Sequence, residues 1–223
     1  NRDTAISILR AISIRMPLLV YGMERDIMDD ITIDNFADLI DQPSWEEFMP
    51  KGITKEIFNQ FSKYYDKDIF VAASRRIRFA SKTADELEPT DRINKIAELF
   101  ATFRNPDKET VLTPWRVVNM HLGETVGGSI FFDESYDNAI EKPRFKNIKD
   151  VTNNIFNDDS IILEINSKTG LYPLYMAYSF YNKEISKVTD KDLTFEKKEE
   201  IWTDIVKNKI FVICKTPMAK QIT

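Results

Sequence analysis

Along the N-terminal part of the chain apolar residues recur at helical spacing, whereas further on they gather into short unbroken runs between Gly and Pro. Ala5, Ile6, Ile8, Leu9, Ile12 and Met16 mark a helix over Asp3 to Arg15, and Pro17 predicts an exit into a short strand, Pro17-Leu18-Leu19-Val20-Tyr21. Asp34 to Ile40, Ser44 to Phe48 and Thr54 to Tyr65 each start at a capping-type residue and predict helices, the last with Ile57, Phe58, Phe61 and Tyr65 as its stripe. Ile69 to Lys82 and, capped by Thr90, Asp91 to Phe103 complete a mainly helical region.

Past Asn105-Pro106, which reads as a turn, the character changes. Val111-Leu112-Thr113-Pro114 reads as a loop, with Pro114 suited to the first position of a helix that runs on to Gly123. Gly127-Gly128 breaks the chain before a strand, Ser129 to Phe132, and a polar loop. A short helix, Val151 to Phe156, leads to the strand Ser160 to Ile165, a turn from Asn166 to Gly170 and an aromatic helix, Leu171 to Asn182. After a polar stretch, a helix from Phe195 to Val206 precedes the apolar strand Lys209 to Cys214, and Thr216-Pro217 opens another helix. Two apolar strands joined through helices predict a parallel β-α-β pair buried on both faces. The boundary expected near residue 106 divides a helical region, 1–106, from an α/β region, 107–223.

Composition narrows the function classes. At 43% hydrophobic and 30% charged residues the chain can fill a core, and its net charge of −5 argues against gripping nucleic acid through net charge alone. One cysteine, Cys214, excludes an internal disulfide, and one histidine, His121, leaves no Cys/His cluster for zinc. No stretch approaches the roughly 18 apolar residues of a membrane span, and no secretion signal is seen, so a cytoplasmic protein without a membrane partner is expected. A start at Asn1 inside an apolar periodic pattern reads as an excised piece of a longer polypeptide.

In open α/β sheets ligands bind at the carboxyl ends of the strands, here Glu164 to Gly170 and Cys214 to Pro217. The turn Glu164-Ile165-Asn166-Ser167-Lys168-Thr169-Gly170 has two readings. Its amides can receive a carboxylate or phosphate beside Gly170, or it is an ordinary strand-to-helix turn capped by Asn166 or Ser167.

Leu163-Glu164-Ile165-Asn166-Ser167-Lys168-Thr169-Gly170 resembles the Leu-Asp-Pro-x-Cys-Gly-Ser-Gly turn of S-adenosylmethionine-dependent DNA adenine methyltransferases. Thr113-Pro114-Trp115-Arg116-Val117-Val118-Asn119-Met120 looks like the Thr-Pro-x-x-Val-x-x-Met element that precedes it in the gamma-ordered members. Ile210 to Ala219 resembles their second strand, Ile-x-Gly-x-Asp-Ile-x-Pro-x-Ala. The runs Glu109 to Leu122 and Ile161 to Tyr178 are similar to the methylase part of bacterial restriction-modification polypeptides in which a DEAD-type helicase precedes the methylase. The stretch through Trp45-Glu46-Glu47-Phe48-Met49-Pro50 looks like their helical connector.

The resemblance implies an α/β protein: a mainly helical N-terminal region, then the first part of a Rossmann-like methyltransferase fold with parallel strands. It implies S-adenosylmethionine as cofactor, with Glu164 beside the methionyl ammonium, the turn of Asn166 and Ser167 against its backbone, and Gly170 in the final glycine position. Thr113 and Pro114 would close over the methionine end, and Cys214 stands where a carboxylate ordinarily accepts the ribose hydroxyls. Lys168 replaces the first glycine, so its side chain points away, occupies part of the pocket, or pairs with Glu164. The catalytic (Asn/Asp)-Pro-Pro-(Tyr/Phe) motif that holds a flipped adenine is absent from the chain, so no catalytic residue is assigned and this piece is expected to transfer no methyl group alone. DNA and the remaining restriction and helicase domains are the implied partners. The alternative is a non-catalytic coupling module with a decayed cofactor pocket.

The other candidates have simpler readings. Arg75, Arg76, Arg78 and Lys82 read as a solvated helix face rather than a phosphate-binding one. Tyr172, Tyr175 and Tyr178 read as core packing, His121 as a hydrogen-bonded surface residue, and Cys214 as an inert thiol.

Overall fold

Capping side chains set most of the helix starts in the structure, a computed structural model that describes residues 2–103 and 112–223. Helix α1 spans Arg2–Gly22. Asp41 accepts from the Ser44 amide to start α2 (Gln42–Phe48), Thr54 from the Ile57 amide to start α3 (Lys55–Ser62), and Asp66 from the Ile69 amide to start α4 (Lys67–Ala84). Helix α5 (Pro89–Ala101) starts instead on Pro89 behind Glu88; Thr90, the expected cap, turns its hydroxyl to Tyr178 at 2.8 Å. Residues 34–40, expected as a helix, form consecutive turns instead, behind a reciprocal Thr32–Asn35 pair of hydrogen bonds. The Asn105-Pro106 turn, the boundary near 106 and Val111 lie outside the described residues.

Pro17 does not end α1, and no strand forms at Pro17 to Tyr21. The helix runs through because Met16, Leu18, Leu19 and Val20 are all buried, and burying such a run outweighs the roughly 3 kcal/mol a mid-helix proline costs. α1 is also the one described helix long and apolar enough to cross a membrane by length and composition, contrary to the reading of the sequence. Its C-terminal half packs into the core, where Gly22 lets α10 (Pro217–Ile222) approach: a Cβ there would lie 2.5 Å from Ile222 Cγ1.

The second part opens with α6 (Trp115–Thr125) and β1 (Gly128–Phe132). The expected polar loop after β1 folds back as a second strand, β2 (Ala139–Lys146), antiparallel to β1, with a bulge between Ile130 and Phe132. Asp133 builds the connection by accepting from the Asp137 amide, Ser135 and Asn138. The short α7 (Thr152–Ile155) leads to β3 (Ile162–Ile165), α8 (Leu171–Ile185), α9 (Phe195–Asn208) and β4 (Ile210–Ile213). β3 and β4 are parallel, with Ile162 opposite Ile210 and Glu164 opposite Val212, as the sequence predicts.

The described chain is thus mixed α/β, largely helical, with two small two-stranded sheets, one of them parallel. Helix α8 is its hub: it packs on α6, β1, β3, β4 and α9, which is why Tyr175, Met176, Ala177, Tyr178, Phe180 and Tyr181 are all buried. The parallel pair, however, is not buried on both faces. α8 and α9 cover Ile162, Ile210 and their neighbours, while Leu163, Ile165, Phe211 and Ile213 on the other face are 47–70% exposed.

Candidate functional site

The tips of β3 and β4 are tied together by backbone. Asn166, held at a left-handed φ of 65°, and Ser167 both donate their amides to the Ile213 carbonyl, at 2.7 and 3.1 Å. Ser167 Oγ then accepts from the Gly170 amide, and Gly170 enters α8 at φ 73°, a conformation that favours glycine. The ordinary reading holds for Gly170, whose positive φ the turn requires, but not for the cap: α8 starts on Gly170 with no side-chain cap, and Ser167 instead closes the turn from within.

Against this turn lies a polar cavity of about 230 Å³, lined by Thr113, Glu164, Asn166, Ser167, Lys168, Thr169 and Tyr172. The structure brings together four of the residues singled out from sequence, Thr113, Glu164, Asn166 and Ser167. Pro114 faces elsewhere: as the residue before α6 it borders a larger cavity of about 640 Å³ walled by Phe100, Phe103, Trp115, Phe131 and Phe132, which Thr113 also touches. Gly170 and Cys214 border neither cavity. A Cβ at Gly170 would lie 2.9 Å from the Thr223 Cα, and the Cys214 thiol points to the Thr223 hydroxyl at 3.8 Å. Thr223 also meets Ser167 Oγ at 3.1 Å, so the end of α10 sits over the turn.

Glu164 is the carboxylate of this lining. Its Oε2 is buried with no hydrogen-bond partner. Burial raises its pKa above the usual glutamate range, opposed in part by a hydrogen bond from Ser167. Lys168 lines the same cavity but does not pair with it: no ion pair joins the two, against the pairing considered from sequence. The far wall is Tyr172, whose hydroxyl is 3.0 Å from His121 Nδ1 and whose ionisation is pushed up by burial and by the Glu164 charge. Among known proteins, no family model, curated protein or solved structure matches the chain.

Tyr172 is a wall of the site that the sequence reading put in the core with Tyr175 and Tyr178. Side chains lean toward a helix's N-terminus, so a first-turn residue after Gly170 overhangs the strand tips; that offset was the available signal. His121 is a hydrogen-bonded exposed residue, as expected. On the basic helix face Arg76 and Lys82 are exposed, as expected, whereas Arg75 and Arg78 are engaged by other residues of the chain. Arg75 forms a bidentate pair with Asp30, at 2.7 and 2.6 Å, and the buried Arg78 donates to the carbonyls of Arg25, Asp26 and Asp29.

Proposed function

We propose that the crevice at the tips of β3 and β4 is the methionine-end half of an S-adenosylmethionine site, and that the chain is part of an adenine-specific DNA methyltransferase of the restriction-modification kind. The observation that carries this reading is the buried, unpartnered Glu164 Oε2 in a cavity that Thr113 also lines, which fits a ligand ammonium. The parallel register of β3 and β4 supports a Rossmann-like sheet. The fit is confined to that end. At the ribose position Cys214 offers a thiol turned to Thr223 rather than a carboxylate.

When bound, the cofactor supplies a methyl group on a sulfonium. This chain's own part is to hold it: Glu164 would accept from the ammonium, Thr113 would close the opening, and Tyr172, fixed by His121, would form the wall. Without an (Asn/Asp)-Pro-Pro-(Tyr/Phe) motif the chain orients the cofactor but holds no adenine, so DNA is engaged with the helicase and restriction parts of a longer cytoplasmic polypeptide. Calorimetric titration with S-adenosylmethionine tests this. Binding by the unaltered chain, weakened about tenfold or more in Glu164→Gln, is expected; no binding by the folded chain overturns it.

A second reading, a methyltransferase-like coupling module whose pocket is closed, is favoured by Thr223. Its seat over Gly170 and Ser167 occupies the approach to the ribose end. Under this reading the same titration shows no heat with S-adenosylmethionine at millimolar concentration.

A further inference from the structure

Two oppositely charged residues line the cavity at the strand tips and do not pair. Glu164 Oε2 is buried without a partner, and Lys168, another residue of the lining, makes no hydrogen bond or ion pair among the described residues. The buried carboxylate oxygen is costly unless a donor completes it, and Lys168 is a cation beside it that no carboxylate engages. The remaining wall adds neutral donors and acceptors from Thr113, Asn166, Thr169 and Tyr172.

The backbone narrows what can answer an anion here. The amides of Asn166 and Ser167 are committed to Ile213, and that of Gly170 to Ser167 Oγ. An incoming carboxylate therefore finds those three donors spent; of the turn's amides, those of Lys168 and Thr169 carry no bond among the described residues, and Lys168 is the cationic residue of the lining. We propose that Lys168 receives the carboxylate of an α-amino acid while Glu164 holds its ammonium, so that the cavity selects a zwitterion. This deepens the cofactor reading and rests on it for the identity of the larger ligand; a cavity of about 230 Å³ suits the amino-acid end rather than a nucleoside. Lys168, which intrudes where the resembled turn has glycine, becomes a specificity-determining residue.

Calorimetric titrations of the 223-residue chain with S-adenosylhomocysteine, its methyl ester and L-methionine test the proposal. The unaltered chain is expected to prefer the acid over the ester by about tenfold, the loss that follows from removing one charge-assisted contact. Lys168→Met should abolish that preference, binding acid and ester alike, while Glu164→Gln weakens both; circular dichroism checks that each variant is folded. A Lys168→Met chain that keeps the preference overturns the proposal and leaves the cofactor reading standing. Binding of L-methionine without S-adenosylhomocysteine supports the zwitterion site and overturns the cofactor reading. Binding of none of the three ligands overturns both.

Discussion

Glu164 gives the site a pH signature whose sign follows from its burial. A carboxyl whose folded pKa lies above its unfolded value binds more protons in the folded state, so folding stability falls as pH rises through that interval. Above it the folded chain carries the full penalty of the unpartnered oxygen; below it the penalty is gone. Glu164→Gln should therefore stabilise the protein at neutral pH by about 0.5–1 kcal/mol, with the gain shrinking as the solution is acidified past the ordinary glutamate range. Urea titrations of both forms across pH check this, and a gain that grows on acidification would contradict it. Tyr175 is the opposite case, a buried group that is satisfied: its hydroxyl donates to the Gly127 carbonyl at 2.6 Å. Tyr175→Phe keeps the ring but strips that carbonyl of its donor, and should cost about 1–2 kcal/mol in the same assay. At this scale the sequence showed which residues stand at the strand tip, since Glu164, Asn166 and Ser167 are contiguous there. It could not show that Cys214 turns to Thr223, because that contact depends on where α10 docks.

Among the elements, those whose pattern is local were legible and those set by partners were not. α3 starts at the cap Thr54 as expected, α4 starts at Asp66, ahead of the expected Ile69, and β3 and β4 are short apolar runs with the parallel pairing their connections require. β2 was hidden because Ala139–Lys146 is polar along much of its length and contains Pro143, a pattern that suits a solvent-facing strand only once β1 is beside it. Pro17 misled for the converse reason: a local breaker overridden by burial on both sides of it. The same competition decides Gly22→Ala. Helix propensity favours alanine by about 1 kcal/mol, but its Cβ would sit 2.5 Å from Ile222 Cγ1 and 2.6 Å from Met218 Sδ. Overpacking costs about 1–3 kcal/mol, so the change should be net destabilising and should loosen α10. Faster amide exchange at residues 217–223, with the remainder of α1 unchanged, is the expected observation; a rise in melting temperature would refute it. α10 is also held from the other side, where Thr216 caps it and bonds Glu47 and Ser44 Oγ accepts from the Met218 amide. Thr216→Ala should accordingly lower stability by about 1–2 kcal/mol in thermal melts.

Across the whole molecule, the helical region and the α/β region share one apolar cluster that runs from Ile12 and Trp45 to Tyr181 and Ile222. Polar ties cross between them as well: Arg92 with Glu199 at 2.9 Å, Lys198 with Glu88 at 2.8 Å, and Thr90 with Tyr178. The Arg92 guanidinium also donates to the carbonyls of Asp85 and Leu87, so its loss would leave acceptors on both sides of the joint unpaired. A boundary drawn from composition alone does not register these contacts, which join residues more than eighty positions apart. Contacts of this kind couple unfolding, since melting α1 and α2 uncovers α10 and with it the end of β4. Trp45 lies in the helical region and Trp202 on α9, so each can report on its own part. Variants keeping only one of the two, with the other and Trp115 changed to Phe, should give coincident urea midpoints by fluorescence. Midpoints that separate, with Trp45 released first, would mean that the helical region folds independently and that the crevice does not need it.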